Sequence, residues 1–263
     1  MKIDNQVKPH TESETMRPKP NEHTTGRDRA FFLSMAFVAG MTVFLGFAQS
    51  YYLRSITHAT HYPMGIPISA TLRPLIHTHA LMFSAWMLFF IAQNALVATG
   101  RIHLHRRLGI MGAVLIPVIT VLGFLTAVRG AKDGWNPGGP FADSQAFTVV
   151  GFGDILVFFC FAAAGLHYRQ YPAIHKRLLL LATVGGRMWP AITRMPYVAG
   201  RPALMFGLLA ALVLAPAVYD RLSYARFHPV SLWGGLLVLA AFPLRGLVGR
   251  TAAWHSFAAW LLR

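Results

Sequence analysis

Seven long, almost uncharged stretches govern what this chain can fold into: "FFLSMAFVAGMTVFLGFAQSYYL", "ALMFSAWMLFFIAQNALVATG", "IMGAVLIPVITVLGFLTAV", "FTVVGFGDILVFFCFAAAG", "LLLLATVGGRMWPAI", "PALMFGLLAALVLAPAVY" and "SLWGGLLVLAAFPL". Crossing the apolar core of a bilayer as a helix takes roughly 20 apolar residues. Five of the stretches are long enough by themselves and two are marginal. The fold class this predicts is all-α, an integral membrane bundle of about seven transmembrane helices. The expected helices lie near 30–53, 74–99, 109–128, 147–168, 178–197, 202–220 and 229–247. Only 13% of residues are charged, where a soluble domain carries about a quarter.

Three segments follow from this patterning. Residues 1–29 are polar and poor in large apolar side chains, so they read as a disordered tail. Residues 30–249 form the membrane domain, and 250–263 a short amphipathic piece whose Trp254 and Trp260 suit headgroup depth. The first apolar stretch is about 23 residues long, which reads as a retained anchor rather than the shorter core of a signal peptide. Two connections are long and rich in Gly and Pro, "RSITHATHYPMGIPISATLR" and "RGAKDGWNPGGPFADSQ", and such loops are candidates for a lid.

The net charge of +15 invites a nucleic-acid reading, but the placement of the charges excludes it. Basic residues concentrate in the tail (Lys2, Lys8, Arg17, Lys19, Arg27, Arg29) and in alternate connections. These hold Arg101, Arg106 and Arg107, then Arg169, Lys176 and Arg177, then Arg221 and Arg226. The other connections hold Arg54 and Arg73, Arg129 and Lys132, Arg194 and Arg201. By the positive-inside rule the expectation is a multi-pass protein of a bacterial cytoplasmic (inner) membrane with its N-terminus in the cytoplasm. Seven spans then place Arg245, Arg250 and Arg263 near or beyond the outer face. The expected partner is the lipid bilayer, with self-association into a homo-oligomer as the one protein contact considered.

Chemistry is carried by polar groups inside or flanking the apolar stretches. Asp154 lies about seven residues into the fourth helix, roughly 10 Å deep, and Arg187 about ten residues along the fifth, roughly 15 Å from the other edge. A charge at the centre of a membrane helix costs about 2.5–3.5 kcal/mol on insertion scales, so each should face the bundle and find a partner. The expected arrangement is an Asp154–Arg187 pair, structural or functional. Gly185, Gly186 and Pro190 around Arg187 make that helix a candidate for a kink. "HTH" at the start of the second helix adds His77 and His79 on the same side of the membrane. They point about 200° apart, so one of them is expected to face the site, with His79 favoured. With Asp154 they offer a ligand set for a divalent metal or a proton relay. His58 and His61 in "THATH" join them only from a loop.

On the opposite side lie His103, His105, His167, His175 and His228 among basic residues. Haem b needs two imidazoles from facing helices, and His105 with His175, or His167 as substitute, meets the depth requirement. The competing reading is that Arg106, Arg107, Lys176 and Arg177 with their neighbouring histidines meet lipid headgroups. "HRRLGIMGAVL" and "HKRLLLLATVG" form a faint internal echo of the kind duplication leaves in membrane proteins. No lysine falls within a span, which excludes a retinal Schiff base. Cys160 stands alone, which excludes a disulfide or thiolate metal site and suggests a buried thiol.

The chain resembles a widespread group of bacterial multi-pass membrane proteins of about seven helices. The likeness rests on "HTHALMFSAWMLFFIAQNALVATGRIHLHRRLG", "GDILVF", "AIHKRLLLLAT" and "HPVSLWGG", and so on His77, His79, His105, Arg107, Asp154, His175, Lys176, Arg177, His228 and Trp233. "HATH" lies outside it. The "LHRRLG" turn is also similar to turns in haem-associated membrane families. The resemblance implies the fold and the choice of residues and brings no activity.

The function expected from the sequence is binding of a small ligand, metal or proton in a polar pocket in the outer half of the bundle. That pocket would be formed by His77 or His79 with Asp154 and Arg187. A b-type haem carrier or redox enzyme at His105 and His175, and a small-solute permease using the broken fifth helix, are the alternatives.

Overall fold

In the computed structural model, residues 22–61, 73–135, 141 and 143–263 are described, and their regular elements are helices. Helix α1 (Glu22–Phe47) continues through a π-helical turn (Ala48–Tyr52) into the short α2 (Arg54–Thr57). Then come α3 (Pro74–Ala98), α4 (Ile102–Lys132), α5 (Ser144–His167), α6 (Pro172–Ile192), α7 (Pro202–Tyr224), α8 (Pro229–Gly249) and α9 (Ala252–Leu261). The end of the bundle where α1 begins is called the near end, and the end where α3, α5 and α7 begin is the far end.

Local chemistry sets the starts. Pro74, Pro172, Pro202 and Pro229 open their helices, where the missing N–H would have had no helical partner. The Asp143 carboxylate caps α5 by accepting from the Ala146 N–H at 2.8 Å, and the Thr251 hydroxyl caps α9 at Trp254. Pro117, Pro190, Pro216 and Pro243 sit inside helices that continue past them, which neighbouring helices in a membrane bundle permit.

The spans are extended at their polar ends relative to the sequence expectation. α4 takes in the whole "HLHRRLG" cluster, so His103, His105, Arg106 and Arg107 lie on its first two turns. α6 begins six residues earlier than expected, placing His175, Lys176 and Arg177 on the helix. Basic side chains are good helix formers, and the edge of an apolar window is therefore a poor guide to where a helix stops. Residues 22–29, assigned from composition to a disordered tail, are helical. The rest of that tail, and residues 62–72 and 136–140 of the two expected lid loops, lie outside the described residues.

Among the described residues, six helices are long and apolar enough to cross a membrane: α1 with its π turn, α3, α4, α5, α7 and α8. Large apolar side chains stand outward on them, among them Phe37, Leu88, Ile110, Leu156 and Leu237, as lipid contact requires and water would penalise. The chain is an all-α membrane bundle. α6 is the exception, and its position explains why. It packs against α1, α5, α7 and α8, and every residue from Leu180 to Met188 is buried. A helix enclosed by other helices need not be apolar enough for lipid.

Small residues let α6 sit so deep. A Cβ on Gly186 would come within 2.8 Å of the Asp154 carbonyl oxygen and the Phe158 nitrogen on α5, and one on Gly185 within 2.8 Å of Val238 on α8. Cys160, read as a buried thiol, is exposed on the outer face of α5. α9 packs on α5 and α8. Trp254 donates from Nε1 to the Gln145 carbonyl at the start of α5, at 2.9 Å, while Trp260 is exposed.

Candidate ligand site

Among the described residues, two clusters of buried charges lie in the bundle, and they differ in how far their hydrogen-bonding capacity is used. At the near end Arg177, 3% exposed, donates from Nε to Asp220 and Ser231 at 3.1 Å each and from Nη1 to the Ala173 carbonyl at 2.8 Å. Its Nη2 donates to the other Asp220 oxygen, and the Ser231 hydroxyl donates to Asp220 at 2.5 Å. Beside it Lys176 pairs with Asp28, which also accepts from the Tyr219 and Tyr224 hydroxyls at 2.7 and 2.5 Å. Burial, and then the nearby Arg177, hold the His228 imidazole below its ordinary range. A neutral His228 suits its role, accepting the Val230 N–H at the start of α8. Lys176 and Arg177, expected to meet lipid headgroups, are turned inward instead, because each has an acid on a neighbouring helix to neutralise it. Arg106 and Arg107 are exposed.

The far-half cluster is built from α3, α5, α6 and α8. Asp154, ten residues into α5 and so about 15 Å from its start, accepts from Arg245 Nη1 at 2.5 Å. Its partner is therefore Arg245 on α8 and not Arg187 on α6. Gly153 gives Arg245 its path, since any Cβ there would collide with the guanidinium. Arg245 also lies 4.5 Å from the Phe242 ring.

Arg187 is 5% exposed and packed among aromatic rings. Its Cζ lies 3.9 Å from the centres of both Phe83 and Phe158 and 5.5 Å from Trp86. Trp86 is itself fixed edge-on to Phe158 and by donating from Nε1 to Thr183 Oγ1 at 3.3 Å. Ring faces interact with the cation at about 2 kcal/mol when desolvated, yet they leave its N–H edge unbonded. Among the described residues, Nε, Nη1 and Nη2 of Arg187 have no hydrogen-bond partner, nor do Nε and Nη2 of Arg245. With Asp154 matched to Arg245, the cluster carries one uncompensated positive charge, on Arg187.

His79 completes the cluster. Its ring stacks on the same Phe83, centres 3.9 Å apart, lies against the backbone of Leu122 on α4, and has a buried Nδ1 without a partner. His77 is exposed and its Nδ1 lies 3.1 Å from the Tyr51 hydroxyl. His58 and His61 are exposed, His61 meeting only Thr60. The structure thus brings together His79, Arg187 and Asp154, adds Arg245, and leaves His77 aside. The side chains of His77, His79 and Asp154, expected to share a metal, go to Tyr51, Phe83 and Arg245, and no three such ligands converge among the described residues.

Arg245, Asp28, Asp220 and Ser231 escaped the sequence reading. One signal was available, namely that the chain has 24 Lys and Arg but only nine acids. An acid within or close to an apolar stretch is then scarce enough to suggest an inward-facing pair, as Asp28, Asp154 and Asp220 form, though Asp133 and Asp143 at helix ends make exposed pairs instead.

At the near end the imidazoles of His105 and His175 lie edge to face with centres 6.3 Å apart. The His175 Nδ1 is 2.7 Å from the Gly165 carbonyl, while the His105 Nδ1 and both side-chain polar atoms of the nearby Gln93 are buried without partners. His167 is exposed, its ring against Tyr168. In comparisons with family models, curated proteins and solved structures, nothing matches this chain.

Proposed function

We propose that this is a ligand-binding protein of a bacterial inner membrane, taking a small molecule with an anionic, hydrogen-bond-accepting group in the far half of the bundle. The observation that supports it is Arg187, a charged guanidinium with its flanks against aromatic rings and its N–H groups unbonded. A buried donor left unsatisfied costs about 1–3 kcal/mol and more when charged. The fork geometry of a guanidinium matches a carboxylate in two parallel hydrogen bonds, and the unpaired Arg245 N–H groups add further donors in the same half of the bundle. Asp154 holds Arg245 in place and offsets its charge. The near end, with Arg101, Arg106, Arg107, Arg169, Arg221 and Arg226, faces the cytoplasm in this reading, so the site opens towards the outer half, and α6 counts as the seventh span.

The test is thermal stability of the detergent-purified protein against benzoate and its uncharged counterpart benzamide. Benzoate should raise Tm in a saturable manner, benzamide should not, and Arg187→Gln should abolish the difference. Equal responses to the two compounds, or an unchanged benzoate response in Arg187→Gln, would sink the reading.

A second reading rests on the His105–His175 spacing. Metal–imidazole bonds of about 2 Å put rings on opposite sides of one metal roughly 6 Å apart between centres, close to what is observed. The His175–Gly165 bond also resembles the second-shell support that orients a ligating histidine. A b-type haem or other metal held there is tested by a dithionite-reduced minus air-oxidised spectrum of protein expressed with haem supplied. Sharp Soret and α bands lost in His175→Ala would establish haem, and a flat spectrum would remove it.

A further inference from the structure

A groove of about 470 Å³ runs between α3 and α4, walled by Thr78, Met82, Pro117, Val118, Val121 and Leu122. Its surface is apolar, and Val118 and Val121 are exposed on the lipid-facing side of α4. It abuts the site just described. Thr78 precedes His79, Met82 precedes Phe83, and the backbone of Leu122 is what the His79 ring lies against. One turn of α3 is therefore wall to both an apolar trough open to the bilayer and a buried cluster with an unpaired cation.

Resting on the anion reading above, we infer that the ligand is a long-chain carboxylic acid that enters sideways from the bilayer. Its chain lies in the α3–α4 groove and its head passes the Phe83 ring, which stands between His79 and Arg187, to reach the N–H edge of Arg187. Charge complementarity selects the head group, since the Arg187 guanidinium has no acid bonded to it among the described residues and its geometry suits two coplanar oxygens. Depth selects against a phospholipid. Arg187 lies five residues short of the end of α6, about 8 Å inside it. A permanently charged phosphodiester is held at the interface, whereas a carboxylic acid can enter hydrocarbon in its neutral form. The wall of the groove has no charged residue that would repel an acyl chain.

The experiment is equilibrium binding of radiolabelled oleate to delipidated full-length protein in detergent, with benzoate and oleyl alcohol as competitors. The variants are Arg187→Gln at the head and Val121→Trp in the groove, the latter on an exposed position that folding tolerates. Saturable oleate binding is expected to weaken by about tenfold or more in each variant, to be displaced by benzoate and to be indifferent to oleyl alcohol. If oleate binds no more tightly than benzoate, or ignores Val121→Trp while still sensing Arg187→Gln, the lateral long-chain proposal is overturned and the anion site stands. Should oleyl alcohol compete as well as oleate, the carboxylate is not what is recognised and the proposal fails. Binding of both acids that ignores Arg187→Gln overturns the proposal and the anion reading beneath it.

Discussion

Arg187 and Arg245 are the same residue type at similar depth in the bundle, and the structure gives them opposite roles. Arg245 is neutralised by Asp154, so Arg245→Met would take from a buried carboxylate its hydrogen-bonded partner, leaving only the unbonded Arg187 nearby, and should cost about 3–5 kcal/mol. Arg187 has no counter-ion bonded to it, so Arg187→Met removes an unsatisfied buried charge, and the apolar chain fits among Phe83, Phe158 and Trp86. It should leave stability unchanged or raise it by about 1 kcal/mol. Paired thermal or denaturant unfolding of the two variants checks this contrast. A large loss in Arg187→Met would make that residue structural. Asp154 and Arg187 were visible in the sequence as charges inside apolar stretches. Their pairing was not, because Arg245 stands near the end of its helix and reads as one more basic flank. Only the rotation of α8 against α5, set by Gly153, reveals which arginine meets the carboxylate.

At the scale of helices, close approach decides what α6 tolerates. Gly186→Ala would set a methyl against the α5 backbone at Asp154 and Phe158, where nothing can give way except the helix itself. A loss of about 1–3 kcal/mol is expected. Gly207, on α7, has nothing within 4 Å of its would-be Cβ, so Gly207→Ala should stabilise by up to about 1 kcal/mol through helix propensity. Opposite shifts in Tm for these chemically identical changes check the packing. The spans themselves were legible in the sequence, since bilayer thickness sets a length that apolar runs either meet or miss. The polar helix ends were less so, because whether Lys176 and Arg177 face water or protein depends on Asp28 and Asp220, distant in sequence. α6 was marginal by hydropathy for the same physical reason that it is central, since its neighbours and not lipid form its surroundings.

Across the whole molecule, bonding along α6 differs between its two ends, although unbonded polar groups occur at both ends of the bundle, His105 and Gln93 lying at the near one. At the near end Asp28 and Asp220 tie α1, α6, α7 and α8 through Lys176, Arg177, Tyr219, Tyr224 and Ser231, with every side-chain nitrogen of Arg177 and both Asp220 oxygens bonded. The far half holds polar groups that the protein leaves unbonded, at His79, Arg187 and Arg245. Local opening follows the distribution of such bonds, so α6 should exchange its amide hydrogens unevenly along its length. Residues 176–182 should be protected close to the limit set by global unfolding, and residues 188–192, beyond Arg187, should exchange faster. Hydrogen exchange read by mass spectrometry on the detergent-solubilised protein measures both peptides at once. Asp220→Ala should erase the gradient by releasing Arg177, at a cost of about 3–5 kcal/mol, whereas Arg187→Met should leave the near-end protection untouched. Uniform protection along α6 in the wild type would mean that the near-end network is not what anchors the helix. Pinning α6 at its near end while Arg187 keeps unused hydrogen-bonding groups is the distribution that the proposed ligand site needs, because a ligand can then order the far end of α6 without disturbing the fold that positions it.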